Sequence, residues 1–203
     1  MGPDQTDRAS GGRVVPLVGR WEPKRLVIEV SPDQQAVEDY YHSDANKKLS
    51  RARLAGTRGV PTRAIAVVGV DDVPAPGTLA RETGDGRESA YLMVDVAAQD
   101  GSRPTEFERA ASPVLEHAGG RVLVQGGRST ALEGAWRPTR LLLVEFPDLR
   151  TAEQAFRSVC SVTGAAPPVR ALTVQGLASA ANTAPGAMPE EVGTDGAGGV
   201  LWD

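Results

Sequence analysis

Apolar and polar positions alternate in several short stretches of the chain and recur at helical spacing in others. Across residues 90–96, Leu92, Val94 and Val96 share one face and Tyr91, Met93 and Asp95 the other, the period-two pattern of a strand. From Phe107 the apolar positions become Ala110, Ala111, Val114, Leu115 and Ala118, one face of a helix. Thr105 and Glu108 have the spacing of a capping box at its start. Pro113 is expected to bend it, and Gly119-Gly120 to end it. Residues 121–125 then predict a strand, Gly126-Gly127 a bulge or bend, and 140–146 a β-rich strand. Ala152, Ala155, Phe156 and Val159 mark a second helix, and 169–175 a closing strand.

The order strand–helix–strand–strand–helix–strand is a ferredoxin-like plan, and residues 90–179 read as one complete unit. Residues 13–70 show only its later part. Strands are expected at 13–18 and 25–30. Ser31-Pro32 supplies an N-cap and a first-turn proline for a helix to Tyr41. Ser43-Asp44 opens a further helical stretch to Leu54, and 63–70 is the last strand of this half. No opening strand or first helix is legible before Gly11. A sheet lacking them exposes an edge and an apolar face that must be covered, and the second half is the expected cover. Segments 1–12, 71–89 and 180–203 hold too few large apolar residues to offset the entropy of ordering. They read as a disordered N-terminus, a linker and a flexible tail.

The two halves repeat. Displaced by 115 positions, Gly19, Trp21, Pro23, Arg25 and Leu26 fall on Gly134, Trp136, Pro138, Arg140 and Leu141. Pro32, Asp33 and Glu38 fall on Pro147, Asp148 and Glu153. Between Gly19 and Tyr41 this gives 8 identities in 23 ungapped positions, where chance gives about one or two. With a gap, Gly11-Gly12-Arg13-Val14 echoes Gly119-Gly120-Arg121-Val122. Such a repeat indicates duplication of a whole supersecondary unit. The expected fold is therefore α+β: ferredoxin-like repeats, one truncated, packed as a barrel-type pseudo-dimer within one chain around a strand-lined hollow.

Composition removes several functions. The 203 residues carry a net charge of −4 and a pI near 5.3, which argues against a general nucleic-acid partner. Cys160 is the single cysteine, so no intramolecular disulfide forms and a reducing, cytoplasmic setting is expected. No secretory h-region is legible at the N-terminus. No apolar run reaches the roughly 18 residues of a membrane span. Two histidines and one cysteine far apart give no metal spacing. No phosphate loop, nucleophile elbow or dinucleotide fingerprint is present, so neither metal nor cofactor is expected.

Residues 90–176 resemble the domain of unknown function 1330 family, of the dimeric α+β barrel superfamily. The resemblance rests on Ala90-Tyr91-Leu92, Gly119-Gly120-Arg121, Gly126-Gly127, the run from Glu133 through Trp136, Pro138 and Arg140 to Leu141, and Val144-Glu145-Phe146-Pro147. The first half resembles the back of the same family through Gly19, Trp21, Pro23, Arg25, Leu26, Ile28-Glu29, Tyr41-His42-Ser43, Lys48 and Arg53. Family alignment pairs Glu29 with Glu145, one residue out of step with the ungapped repeat. Gln125 stands where the family has an arginine. The resemblance implies two sheets packed face to face, here within one chain, and leaves a homodimer open. The superfamily's activities include cofactor-free monooxygenases, isomerases, cyclases and ligand-sensing domains.

The candidate chemistry is narrow. His42, at a helix break, is a candidate proton shuttle; its structural reading is a helix end. Glu29 and Glu145 lie on apolar strands, where a carboxylate is costly unless paired. They are either general bases in a cavity or partners of an arginine such as Arg25 or Arg140. Asp95 is a further carboxylate that either joins the site or faces solvent at a strand end. Trp21 and Trp136, each two before a proline, either anchor packing or wall a pocket with Tyr41 and Tyr91. Arg128 and Arg140 are candidates to hold a carboxylate or enolate oxygen, against a solvated or ion-paired role. The expected function is cofactor-independent acid–base chemistry of cyclase or isomerase type on an apolar, polyketide-like small molecule. A non-catalytic ligand-binding or assembly protein, and a cofactor-free monooxygenase, are the competing expectations.

Overall fold

A computed structural model describes residues 6–31, 33–56, 62–71, 78–79, 88–96, 104–126, 128–163, 169–177 and 200–202. Within these residues the chain is α+β, with two five-stranded sheets. One has the order β1 (Thr6–Ser10), β3 (Leu26–Val30), β10 (Val200–Trp202), β4 (Arg63–Val67), β7 (Ser129–Glu133). The other has the order β2 (Val14–Val18), β9 (Val169–Gln175), β5 (Ala90–Val96), β8 (Arg140–Phe146), β6 (Arg121–Gln125). Every pairing is antiparallel. Each half lends one strand to the other sheet: β2 pairs with β9, and β7 with β4. The helices are α1 (Gln34–His42), α2 (Asp44–Gly56), α3 (Pro104–His117) and α4 (Leu149–Thr163).

Local chemistry explains the helix ends. Asp33 caps α1, its carboxylate accepting the Ala36 N–H at 2.7 Å; the cap lies two residues beyond the expected Ser31. Asp148 does the same for α4, accepting the Thr151 N–H at 2.8 Å. The capping box expected at Thr105 and Glu108 is not formed. α3 already includes Pro104, and Glu108 turns instead to Arg140, whose Nε donates to it at 2.6 Å. Gly119, at φ 85°, ends α3 as expected, and the Gly120 N–H returns to the Leu115 carbonyl at 2.9 Å.

The strands place alternate side chains in two layers. Tyr91 and Met93 point between the sheets, with Leu26, Ile28, Ile65, Leu123, Leu141, Leu143 and Leu172. Leu92, Val94 and Val96 face α3 and α4, against Phe107, Ala111, Leu115, Ala152, Phe156 and Val159. On the outer face of the first sheet Val27, Ala64 and Ala66 pack against Val37 and Tyr41 of α1.

Positions 115 apart share backbone features in β1 with β3 and in β6 with β8. Gly11 and Gly126 both have positive φ, as do Gly19 and Gly134. The Gly11 N–H donates to the Leu26 carbonyl and that of Gly126 to the Leu141 carbonyl. The expected echo of Gly11-Gly12 in Gly119-Gly120 is therefore replaced: the counterparts are Gly126-Gly127. β1 on β3 and β6 on β8 share one register, Thr6 opposite Val30 and Arg121 opposite Glu145, with a bulge at Arg8 and at Leu123 respectively. Glu29 thus corresponds to Val144, and Glu145 to Val30, so the one-residue shift of the family alignment does not appear.

Two stretches expected to lack structure contain strands: residues 6–10 of the segment 1–12, and 200–202 of the segment 180–203. Residues 1–5, 72–77, 80–87 and 178–199 lie outside the described residues, and with them most of the expected linker and tail.

A Cβ at Gly12 would lie 2.2 Å from the Gln175 carbonyl oxygen, while one at Gly119 would meet nothing within 4 Å. Gly12→Ala must push β2 off β9, for an expected loss of about 3 kcal/mol, the upper range for forced overpacking. Gly119→Ala carries only the left-handed strain of about 1 kcal/mol. Urea unfolding midpoints of the two variants test whether β2 belongs to the second half's sheet.

Candidate functional site

Around the two tryptophans the space between the sheets is filled. Trp21 and Trp136, both buried, meet with ring centroids 5.9 Å apart and planes at 58°. The Trp136 indole N–H donates to Asp95 Oδ2 at 2.8 Å, and Asp95 also takes the guanidinium of Arg170. That guanidinium lies 5.0 Å from the Trp21 ring centroid, a cation–π contact. Asp95 is thus buried within the fold rather than solvent-facing, and it fixes both tryptophans. These aromatic rings are packing anchors, not the walls of a hollow.

A second polar cluster lies toward the other end of β5. Glu145 is wholly buried, and its partner is neither Arg25 nor Arg140 but Arg8, at 3.7 Å. Glu145 Oε1 also accepts from the Ser89 hydroxyl at 3.0 Å and from the Tyr91 hydroxyl at 3.3 Å. Burial, and then the Glu145 charge, push the Tyr91 phenol well above its usual range, so it stays a donor. Arg8 is itself 2% exposed. A buried carboxylate paired with a guanidinium and accepting from two hydroxyls suits support rather than proton abstraction.

Beside this cluster opens a cavity of about 440 Å³. Ile28, Val67, Leu123, Val124 and Leu143 make its apolar wall, and Arg8 lies in it. Glu29 and Ser31, with Asp33 and Gln34 at the start of α1, supply its polar side. Glu29 faces Asp7 across β1 and β3, and this register sets the two side chains on the same face of the sheet. Burial first of all raises the Asp7 carboxyl above its ordinary value, with Arg25 and Glu29 opposing the rise. Glu29 also pushes up the phenol of Tyr41, after burial itself.

Of the residues expected to carry chemistry, the structure places only Glu29 in the cavity wall. His42, the last residue of α1, is exposed, so it does not serve as a pocket base. Tyr41 is buried under α1, beside Glu29, outside the cavity lining. Arg128 is exposed and reaches Gln34 Oε1 at 3.4 Å, which brings it to the cavity's outer margin. Arg140 is bound to Glu108 and does not face a ligand.

Arg8, Asp7 and Ser89 were missed, since they lie in segments expected to be disordered or linking. The signal was available: the ungapped repeat places 6–10 over the strand 121–125. Arg170, Gln34 and Asp33 carried no signal beyond their elements.

Residues 89–160 match the family model described as a domain of unknown function (DUF1330). The match includes Ser89, Tyr91, Asp95, Trp136 and Glu145, and leaves out Asp7, Arg8, Trp21 and Glu29. Each polar cluster therefore joins residues inside the match to residues beyond it. No curated protein and no solved structure matches the chain. Among the described residues, no helix is long and apolar enough to cross a membrane, and no three His, Cys, Asp or Glu side chains gather as a metal site.

Leu123 and Val30 occupy in one half the places of Arg8 and Glu145 in the other. Arg8→Leu alone leaves Glu145 buried without its cation and is expected to lose about 3–5 kcal/mol. Adding Glu145→Val should restore at least half of that loss, read as a double-mutant cycle in urea.

Asp7 gives a pH signature. A carboxyl whose folded pKa is raised binds its proton more tightly in the folded state, so stability falls as pH rises through and above about 4. Asp7→Asn should flatten this slope in thermal unfolding between mildly acidic and neutral pH.

Proposed function

We propose that this protein holds a small, largely apolar carbonyl compound in the cavity and moves a proton on it without a cofactor. The Asp7–Glu29 carboxyl pair is the acid and base. The observation that carries this reading is a pair of acidic residues directly opposite each other on β1 and β3, one of them lining a mainly apolar cavity. Two carboxylates that close do not both ionise, so the pair holds one proton and offers one basic oxygen. Glu29 takes a proton from the carbon beside the substrate carbonyl. The C–H electron pair passes to the carbonyl oxygen, giving an enolate on the side of Arg8, whose positive charge stabilises it. Return of the proton to another carbon completes an isomerisation; attack of the enolate on a second carbonyl of the same molecule completes a cyclisation. Glu145, Tyr91 and Ser89 hold Arg8 in place.

The architectural reading goes with it. The strand order β9-β5-β8-β6, with α3 and α4 in their connections, supports a ferredoxin-like unit in the second half. The matching registers support a duplicated, barrel-type pseudo-dimer of the dimeric α+β barrel superfamily. The lone Cys160 supports a cytoplasmic setting.

Binding without chemistry is the second reading, and the filled interior favours it, because only the margin of the barrel is left for a ligand. Nuclear magnetic resonance in heavy water separates the two. With a panel of apolar cyclic diketones, the protein should accelerate deuteration beside the carbonyl. Glu29→Gln should reduce the acceleration about 100-fold, the lower end for loss of a general base, and His42→Ala should leave it unchanged. Equal rates in the wild type and Glu29→Gln would end the acid–base reading. A ligand at 100 times its Kd should still stabilise the chain by about 2.7 kcal/mol. Ala66→Phe, which fills the cavity, should abolish that shift.

A further inference from the structure

In the first sheet β10 stands where β5 stands in the second. Val200, Leu201 and Trp202 lie opposite Ile28, Val27 and Leu26 on one side and Ile65, Ala64 and Arg63 on the other. Met93, Val94 and Asp95 lie opposite Leu143, Leu142 and Leu141, and opposite Leu172, Ala171 and Arg170. The β3 partners are the counterparts of the β8 partners at the displacement of 115, and β4 stands beside β10 as β9 stands beside β5, so residues 200–202 fill the lane of the strand that the first half lacks. It does so with three residues where β5 uses seven.

The lane is defined by backbone. β3 and β4 are both antiparallel to β10 and so run parallel to each other, with a strand-wide gap between them. Leu26 turns its carbonyl to Gly11, and Val68 its N–H to the Arg128 carbonyl. Because backbone groups alternate along a strand, Val27 and Glu29 then face the lane from β3, and Arg63, Ile65 and Val67 from β4. Leu201 presents its N–H and C=O to Val27, and Val200 and Trp202 present theirs to Ile65 and Arg63. Beyond Val200, Glu29 and Val67 still face the lane, where the cavity lies. The acceptor is thus longer than the strand described in it.

We propose that the lane between β3 and β4 is a strand-acceptor site for extended apolar peptide, with this chain's own C-terminus as its tethered and exchangeable occupant. Recognition is by main chain on both edges, as in strand addition generally, and is doubled here because both edges of the guest are paired. Three residues hold it. The strand is covalently joined to the rest of the chain. The tether gives β10 an effective concentration in the millimolar range, which a free peptide must match. This inference does not depend on proton chemistry in the cavity.

The test uses the full chain and the peptide acetyl-Gly-Gly-Val-Leu-Phe-Asp. In the wild type, the Trp202 backbone amide resonance, which reports pairing with β4, should move to its unpaired position as the peptide passes about a millimolar. A peptide methylated on the leucine nitrogen, lacking the N–H that meets Val27, should be at least tenfold weaker. Leu201→Pro removes the same N–H from the tethered strand, and this variant should bind fluorescein-labelled peptide at least tenfold more tightly than the wild type. An unmoved Trp202 signal at 10 mM peptide, or equal potency of the methylated peptide, would overturn the proposal. Neither result bears on deuterium exchange, so the two readings fail separately.

Discussion

The first sheet depends on one requirement: strands β3 and β4, parallel and two spacings apart, need a third strand between them. Without it, both edges lose their partners in the middle of a sheet, where main-chain groups are costly to bury unpaired. The chain meets this need from its far end. β10 returns across the whole sequence to the position that β5 occupies locally in the second half, and takes up the same register. A sheet whose centre is closed by three residues is less cooperative there than one closed by seven, and local opening concentrates where contacts are few. The cavity adjoins this weaker half of the lane.

The departures from symmetry follow from what covers each face. In the second half Val122 and Val144 lie under α3, packed with Phe107, Ala111 and Leu115. The described residues hold no counterpart of α3 over the first sheet. There the corresponding positions are Asp7 and Glu29, residues that an apolar helix would not tolerate. In the interior the exchange runs the other way: the Leu123 and Val30 positions become Arg8 and Glu145, an ion pair within the packed layer. Both exchanges place charge beside the cavity, with Arg8 and Glu29 in its lining.

Much of this was legible in the sequence because it rests on local pattern. The alternation at 90–96 assigned both faces of β5 correctly, and the 115-residue displacement paired Trp21 with Trp136, which meet in the core. What failed was non-local. Residues 6–10 and 200–202 are too short and too mixed to announce strands, and each is stabilised by pairing across the fold rather than by its own propensity. Arg8 disappeared with the segment that contains it, so Glu145 was read either as a base or as the partner of Arg25 or Arg140. His42 looked like a pocket base because it ends a helix near an expected cavity; helical spacing does not say which side of the last turn faces solvent.

The same geometry bears on which carboxylate the proposed proton transfer would use. Glu145 is held by a guanidinium and two hydroxyls, and any proton it gained would break that arrangement in a dry interior. Glu29 differs in two respects. Its neighbour is a carboxyl, so proton movement within the pair redistributes charge without creating it, and it lines the cavity. A proton-transfer group needs both a variable charge and a reachable substrate. Arg8 links the two settings: the clamp that removes Glu145 from reactivity also fixes a cation on the wall that Glu29 shares. The interior ion pair and the cavity are therefore two faces of one arrangement, which requires Arg8 on an N-terminal strand that the first half builds only by pairing with β3.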